Sequence, residues 1–559
     1  MVETRARALS DSVENQTQTF PILTPAQIAR IAAHGKRRQV AAGEVLIEAG
    51  APTAGFFVVV SGEADVVRVK DGHEELITVH RAGQFTGEVQ TLSGHRSLAR
   101  ARMSEPGEVI EVDHDGLRTL VATDSELSEI LMRAFILRRL QMIAQKLGDV
   151  VLVGSSHSAD TLRLQEFLSR NGHPYSYMDL DRDAGVQVLL DRFQVRVEEV
   201  PILICRGQVV LRNPSNQEAA DCLGFNEGID ATLVRDTLVV GAGPAGLAAA
   251  VYAASEGLDV LVLENDVPGG QAGSSSKIEN YLGFPTGISG QELAGRAYLQ
   301  AQKFGAEVMI ARGARRLGCD HKPYTVEIDG GTDLLARTVI IATGAEYRRL
   351  PLENLARFAG LGVYYGATFL EAQLCEGEEV VVVGGGNSAG QAAVYLAQMT
   401  KHVHMLVRSN QLADTMSRYL IRRIEDSPAI TLRTETEIIA LEGGDHLENV
   451  QWRNRQTGEV ETHDLRHVFL MTGAVPNTRW LNGCVATDEK GFIRTGRDLT
   501  PEDLAEAHWP LTRLPYFYET TLPGVFAVGD VRSGNVKRVA SAVGEGSIVI
   551  HLVHQVLQE

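Results

Sequence analysis

The stretch TLVVGAGPAGLAAAVYAASEGLDVLVLEND, Thr237–Asp266, decides the fold. Leu238, Val239 and Val240 make a short apolar strand. Gly241, Gly243 and Gly246 follow at GxGxxG spacing, and Leu247 to Ala254 continue as a buried helix. A second apolar strand, Val260 to Leu263, ends at Glu264. The first glycine permits a tight turn, the second lets the backbone approach a pyrophosphate, and the third lets the helix pack close to the strand. The helix N-terminus, which opens on Pro244, then offers unpaired N–H groups from Ala245 onward to phosphate. An acid at the end of the second strand stands where ribose hydroxyls donate hydrogen bonds. Strand, glycines, helix, strand and acid in this order predict a dinucleotide-binding βαβ unit.

The pattern recurs at EEVVVVGGGNSAGQAAVYLAQMTKHVHMLVRSN, Glu378–Asn410. Val380 to Val383 are the strand, Gly384, Gly386 and Ala389 give GxGxxA, and Asn387 and Ser388 open the helix. The position equivalent to Glu264 is Val407, and Arg408 comes next. A carboxylate there would repel a 2′-phosphate, whereas a guanidinium grips it in a fork. The first unit is therefore read as binding FAD and the second as binding NADPH, with a solvated surface cation as the alternative for Arg408 and for Arg418, Arg422 and Arg423 nearby. LPGVFAVGDVR (Leu522–Arg532) is an apolar strand ending at Gly529 and Asp530, an acid placed to bind a ribityl chain. TVIIATGAEYRRLP, with Thr343 and Gly344, and VFLMTGAVPNTRWL each end a strand at Thr-Gly, as crossings between two nucleotide domains would.

These motifs, with Gly269-Gly270-Gln271, IENYLGFP (Ile278–Pro285) and PGVFAVGD, resemble the low-molecular-weight thioredoxin reductase family. The resemblance implies a multidomain α/β flavoprotein with the NADPH domain (351–480) inserted in a discontinuous FAD domain (228–350 and 481–559). It places Gln271 and Asn280 at the flavin, with Arg538, Val539 and Ala540 beside it, and implies a homodimer. The family's CxxC falls on Gly366 and Phe369 here, and neither carries a thiol. Five cysteines occur, at 205, 222, 319, 375 and 484, with no CxxC pair, so neither a dithiol relay nor a disulfide framework is expected. Cys205 is expected as a buried structural thiol. Glu371 is a candidate acid near the missing dithiol, with an exposed helix carboxylate as the alternative.

Upstream, DVVLVGSSHSADTLRLQEFLSRNGHPYSYMDLD (Asp149–Asp181) reads strand, helix, strand, followed by VEEVPILICRGQVVLRNPS (Val197–Ser215). This order resembles the glutaredoxin/thioredoxin fold over 148–227. The resemblance makes Val200-Pro201 a cis-proline and puts the family's CxxC near Ser158–Thr161, where hydroxyls cap a helix but exchange no disulfides. A docking or spacer unit is expected there.

At the N-terminus, glycines 43, 50 and 62 separate short apolar strands, a β-roll pattern. GQFTGEVQTLSGHRSLARA (Gly83–Ala101) resembles the cyclic-nucleotide-binding domain, expected over 20–147. In that family Gly87 and Glu88 would meet the ribose 2′-OH and Arg96 and Ser97 the cyclic phosphate. A purely structural roll is the alternative. Ser125–Gln145 reads as an amphipathic helix, and residues 1–19 as a disordered lead-in.

Composition narrows the rest. The 559 residues hold 53 basic and 71 acidic side chains, net −18, which disfavours a nucleic-acid binder. No stretch reads as the ~18 apolar residues of a membrane helix, and the first twenty carry no signal core. A cytoplasmic enzyme is expected. It would pass electrons from NADPH through FAD to an external protein or small molecule, biased by a cyclic nucleotide. A thioredoxin-disulfide reductase using an outside dithiol, a ferredoxin–NADP reductase-like enzyme, and a cyclic-nucleotide sensor with a structural flavin remain open alternatives.

Overall fold

The computed structural model describes residues 16–559 except 52–54, 71–72, 88–89, 94–95, 146–147, 149, 156–157, 181, 184–185, 187–195, 197–198, 206–208, 228, 413–415 and 445. Glu88 and residues 1–15 of the expected lead-in therefore lie outside the described residues. Residues 16–19 are helical. The chain forms two compact units: Met1–Ser155 with Asn171–Asp230 and Leu299–Ala311, and Ser156–Arg170 with Ala231–Tyr298 and Arg312–Glu559.

In the first unit the N-terminal strands form two antiparallel sheets. One orders Lys36–Val40, Gly107–Asp113 and Gly55–Ser61. The other orders Val45–Ile47, Arg100–Met103, Ala64–Lys70 and His73–His80. Phe56, Val58, Phe85, Ile110 and Val112 pack with Leu127, Leu131 and Phe135 of helix Ser125–Ala144, so the roll closes on a helix. A separate sheet orders Val209–Arg212, Ile202–Cys205, Val150–Gly154 and Tyr175–Asp179, with the last two parallel and the others antiparallel. The Val200–Pro201 bond ahead of it is cis.

In the second unit the first βαβ motif builds a parallel core. Val234–Val240 pairs with Val260–Glu264 on one side and Asp333–Ile341 on the other, and Val525–Ala527 joins Asp333–Ile341. Val260–Glu264 is buried throughout, as expected of a strand covered on both faces. The second motif builds a five-stranded parallel sheet in the order Val363–Tyr364, Val468–Leu470, Glu379–Val383, His402–Leu406, Ile430–Arg433. Ala345–Tyr347 pairs antiparallel with Ala474–Pro476, and these two short strands are the crossings.

Two expectations need correction. Four of the five cysteines are bridged, Cys205 to Cys222 and Cys319 to Cys484. The partners lie 17 and 165 residues apart, so no local spacing announces them. Cys205 is buried as expected but is no free thiol. The helix Val539–Gln558 is also long and apolar enough to cross a membrane by length and composition. Its residues Ala542, Glu545, Gly546, Val549, Ile550, Val553 and Val556 are buried. It packs along Pro244–Ser255, where a Cβ on Gly546 would fall 2.1 Å from the Ala245 carbonyl oxygen. Its buried Glu545 accepts from the Gly529 N–H at 2.7 Å and from Arg532 at 2.7 Å.

Candidate functional site

Each βαβ turn leaves an open cradle. Gly241 takes φ +107°, and a Cβ there would meet the Ala342 carbonyl oxygen at 2.4 Å. A Cβ on Gly246 would fall 1.8 Å from the Gly241 oxygen, so the helix can approach the strand only without one. Gly243 is different: a Cβ there meets nothing within 4 Å. The second turn repeats this division. Gly384 crowds the Met471 carbonyl oxygen at 2.4 Å, and Gly386 faces open space. In each turn the crowded glycines shape the corner and the middle one leaves room for a ligand.

Glu264 ends its strand buried. Its carboxylate accepts from the Ala242 N–H at 2.8 Å and the Asp266 N–H at 3.0 Å. Burial pushes its pKa up to about 7 despite those two donors. A ligand hydroxyl donating to the same carboxylate would favour its charged form.

One cavity gathers most of the residues expected at the two nucleotides. Gly241, Gly243, Pro244, Ala245, Glu264, Gly270, Gln271 and Asn280 line it with Thr343, Gly344, Gly529, Asp530, Arg538, Val539 and Ala540. Asn387 and Ser388, at the start of the second motif's helix, line it too, as does Glu371. Thr343 donates to the Asn477 carbonyl at 2.8 Å and the Asn477 side chain returns a bond to the Thr343 carbonyl at 2.9 Å, which ties the Thr-Gly corner to the returning chain. Asp530 is held protonated more readily than usual by its burial. Gly246, Gly384, Gly386 and Ala389 shape the turns without lining this cavity. Arg408 lies outside the cavity, exposed past the end of strand His402–Leu406.

Two lining residues escaped the sequence reading. The Trp480 indole Nε1 is buried, has no hydrogen-bond partner among the described residues and lines the cavity. A buried donor without a partner costs free energy that a ligand acceptor would recover. Tyr347, on the crossing strand, bonds Ser388 of the second motif. The TRWL and AEYR runs contained both, but a lone aromatic in a crossing segment carries no motif. The open space at Gly243 and Gly386, the acid at Glu264 and the orphaned indole N–H fit two dinucleotides.

The region of the missing dithiol is on the cavity wall. A Cβ on Gly366 would lie 3.6 Å from the Ser274 Cβ, facing the FAD half. Glu371 is half-buried rather than exposed: Thr368 donates to it from its backbone N–H at 2.9 Å and from its hydroxyl. Burial raises its pKa, and the neighbouring Glu166 charge adds to this. Cys375 is the single free cysteine. It is buried, its thiol pKa is pushed up by burial, and it donates to the Glu371 carbonyl at 3.1 Å. Such a thiol is a poor nucleophile.

In the roll, Gly87 and Ser97 line a second, mostly aliphatic cavity with Ile47, Val66, Ile77 and Met142. Arg96 turns its guanidinium to Glu227, from Nε at 2.5 Å and also from Nη2, and donates to the Gly50 carbonyl at 3.0 Å. An internal carboxylate thus sits on the arginine expected to hold a cyclic phosphate.

Residues 235–546 match the pyridine nucleotide-disulphide oxidoreductase family, and residues 37–124 match the cyclic nucleotide-binding domain. The thioredoxin reductase of Bacillus subtilis (strain 168) is 32% identical over 326 residues, 58% of this chain and 96% of that protein. The thioredoxin reductase of Ureaplasma parvum serovar 3 is 33% identical over 316 residues, 56% of this chain and 94% of that protein. Among solved structures, Lactococcus lactis thioredoxin reductase in its FR conformation superposes with a TM-score of 0.52 at 28% identity, covering 58% of this chain and 100% of that one. Open glycine cradles in both turns, a buried strand-end acid and this similarity agree: the chain belongs to the pyridine nucleotide-disulphide oxidoreductase family as a thioredoxin reductase-like flavoprotein oxidoreductase using FAD and NADPH, preceded by a cyclic nucleotide-binding domain.

Proposed function

We propose that this chain carries two electrons from NADPH to an external acceptor without an internal dithiol. One observation carries the reading: the positions where the dithiol would fall hold Gly366 and Phe369, and the single free thiol, Cys375, is buried with its pKa raised. None of the bridged cysteines lines the nucleotide cavity. Bound FAD supplies the two-electron chemistry between pyridine nucleotide and acceptor. The chain does the rest. Gly243 and Gly386 let backbone approach phosphate, Glu264 takes ribose hydroxyls, and Trp480 and the Thr343–Asn477 pair fix the cavity wall. Glu371 is a partly buried carboxyl on the cavity wall, and burial raises its pKa.

Anaerobic addition of NADPH should bleach the yellow absorbance of the full chain. Cys375→Ser should leave the bleaching rate within about twofold, because the thiol touches no reacting atom. A protein that NADPH leaves yellow, or a Cys375→Ser variant that loses transfer, would refute the reading.

The N-terminal roll supports a second, regulatory element. The Arg96 fork on Glu227 favours it, since a cyclic phosphate would compete for the same guanidinium. In calorimetric titration with cyclic AMP and cyclic GMP, Arg96→Ala should weaken any binding at least tenfold, the cost of a lost charge-assisted pair of ~1.5–3 kcal/mol. Unchanged binding would show that the anion is held elsewhere.

A further inference from the structure

The helix Ala159–Arg170 comes from the stretch whose order resembles thioredoxin, yet it packs in the unit that holds the two nucleotide-binding sheets. It meets both halves of that unit. At its first residue, Ala159 lies against Gly360, where an added Cβ would come within 3.0 Å of the Ala159 Cβ. Farther along, Glu166 lines the nucleotide cavity, close enough for its charge to act on Glu371. At its last residue, Arg170 donates from Nη2 to the Gly270 carbonyl at 2.9 Å and from Nη1 to Glu166 at 2.9 Å. The Arg170 side chain is only 14% exposed. The Ser169 carbonyl accepts from the Gln291 amide at 2.9 Å. At ~1.5 Å per residue the twelve residues span ~18 Å. The helix therefore runs from the segment leading into the second sheet to the glycine loop beside Gly243, and its Glu166 and Arg170 form part of the cavity wall.

We propose that helix Ala159–Arg170 is a clasp over this crevice: Arg170 steadies the Gly270 loop that holds FAD, and the helix restricts the acceptor to a small molecule that can enter the cavity. The proposal rests on the dithiol-free reading above. A folded dithiol protein needs an open face of the order of 800 Å² on each partner, and helix residues Glu166 and Arg170 take up part of the cavity wall. The acceptor class that fits is a small two-electron, two-proton acceptor such as a quinone. The balance is NADPH + H⁺ + quinone → NADP⁺ + hydroquinone. The nicotinamide is oxidised, the quinone takes the electron pair, and its two oxygens end protonated.

The test uses the full chain with FAD and has two arms. In the first, FAD release on dilution is followed by flavin fluorescence for the parent, Arg170→Ala and Arg170→Lys. Loss of a charged donor to the Gly270 carbonyl should speed release about tenfold in Arg170→Ala, with Lys recovering part of it. Circular dichroism checks that both variants fold, and if Ala does not, Lys alone should still release FAD faster. Release unchanged in both variants overturns the clasp. In the second arm, NADPH oxidation is measured with menadione and with oxidised thioredoxin, and thioredoxin binding is measured by calorimetry. Menadione should turn over, and thioredoxin should neither bind nor exceed the rate without acceptor. Thioredoxin turnover overturns the size restriction while leaving electron entry from NADPH intact. Absence of bleaching by NADPH instead refutes the proposed function, and the release arm, which needs no turnover, still judges the clasp.

Discussion

Gly243→Glu is expected to give a folded but colourless protein. The position is extended, φ −71° and ψ −177°, which any residue adopts, and a Cβ there meets nothing within 4 Å. The substitution therefore places no strain on the turn. Its carboxylate enters the space left for the pyrophosphate, and like charges brought together across an interface cost several kcal/mol. About 4 kcal/mol is a ~10³-fold loss of FAD affinity. Gly246→Val is the contrast. Its Cβ would have to sit 1.8 Å from the Gly241 oxygen, so it should unfold the FAD half and not merely empty it. Flavin absorbance together with thermal melts of the two variants separates the cases. A yellow Gly243→Glu protein would remove the cradle from the place assigned to it.

Gly386→Glu should do the complementary thing, leaving a yellow protein that NADPH no longer bleaches. Gly386 is also extended, φ −96° and ψ 178°, with open space where its Cβ would be. The FAD cradle is built on a different sheet, so cofactor content should match the parent. NADPH should need roughly 10²–10³-fold higher concentration for half-maximal bleaching, from the same like-charge repulsion. Dithionite should still bleach the variant at the parental rate. Equal NADPH response in parent and variant would mean that the second GxGxxA turn does not carry the pyridine nucleotide.

The two βαβ units were legible because their constraint is local. A strand, a turn that tolerates no Cβ, and a helix starting at the turn need about thirty residues of contiguous sequence and no partner elsewhere. The roll was legible for a similar reason, since glycine turns punctuate alternating strands. The missing dithiol was legible from two positions. Glu371 was not, because its place on the cavity wall depends on how helix Phe369–Leu374 packs. Trp480 and Tyr347 lie in crossing segments without a spacing that marks them. Arg408 stands exposed past the end of its strand and is not among the residues lining the cavity. Arg96 matched its motif, and its partner Glu227 lies 131 residues away.

By itself the chain's order of residues determined the two glycine-cornered βαβ turns and that no CxxC lies between them. Backbone geometry at a glycine and the presence of a thiol are properties of single positions, and a sequence states them outright. Only the tertiary structure decided the cysteine bridges, the burial of Cys375, the carboxylate on Arg96 and the contribution of helix Ala159–Arg170 to the cavity wall. Those are meetings between segments far apart in the chain, set by which surfaces bury together, and no local pattern encodes them.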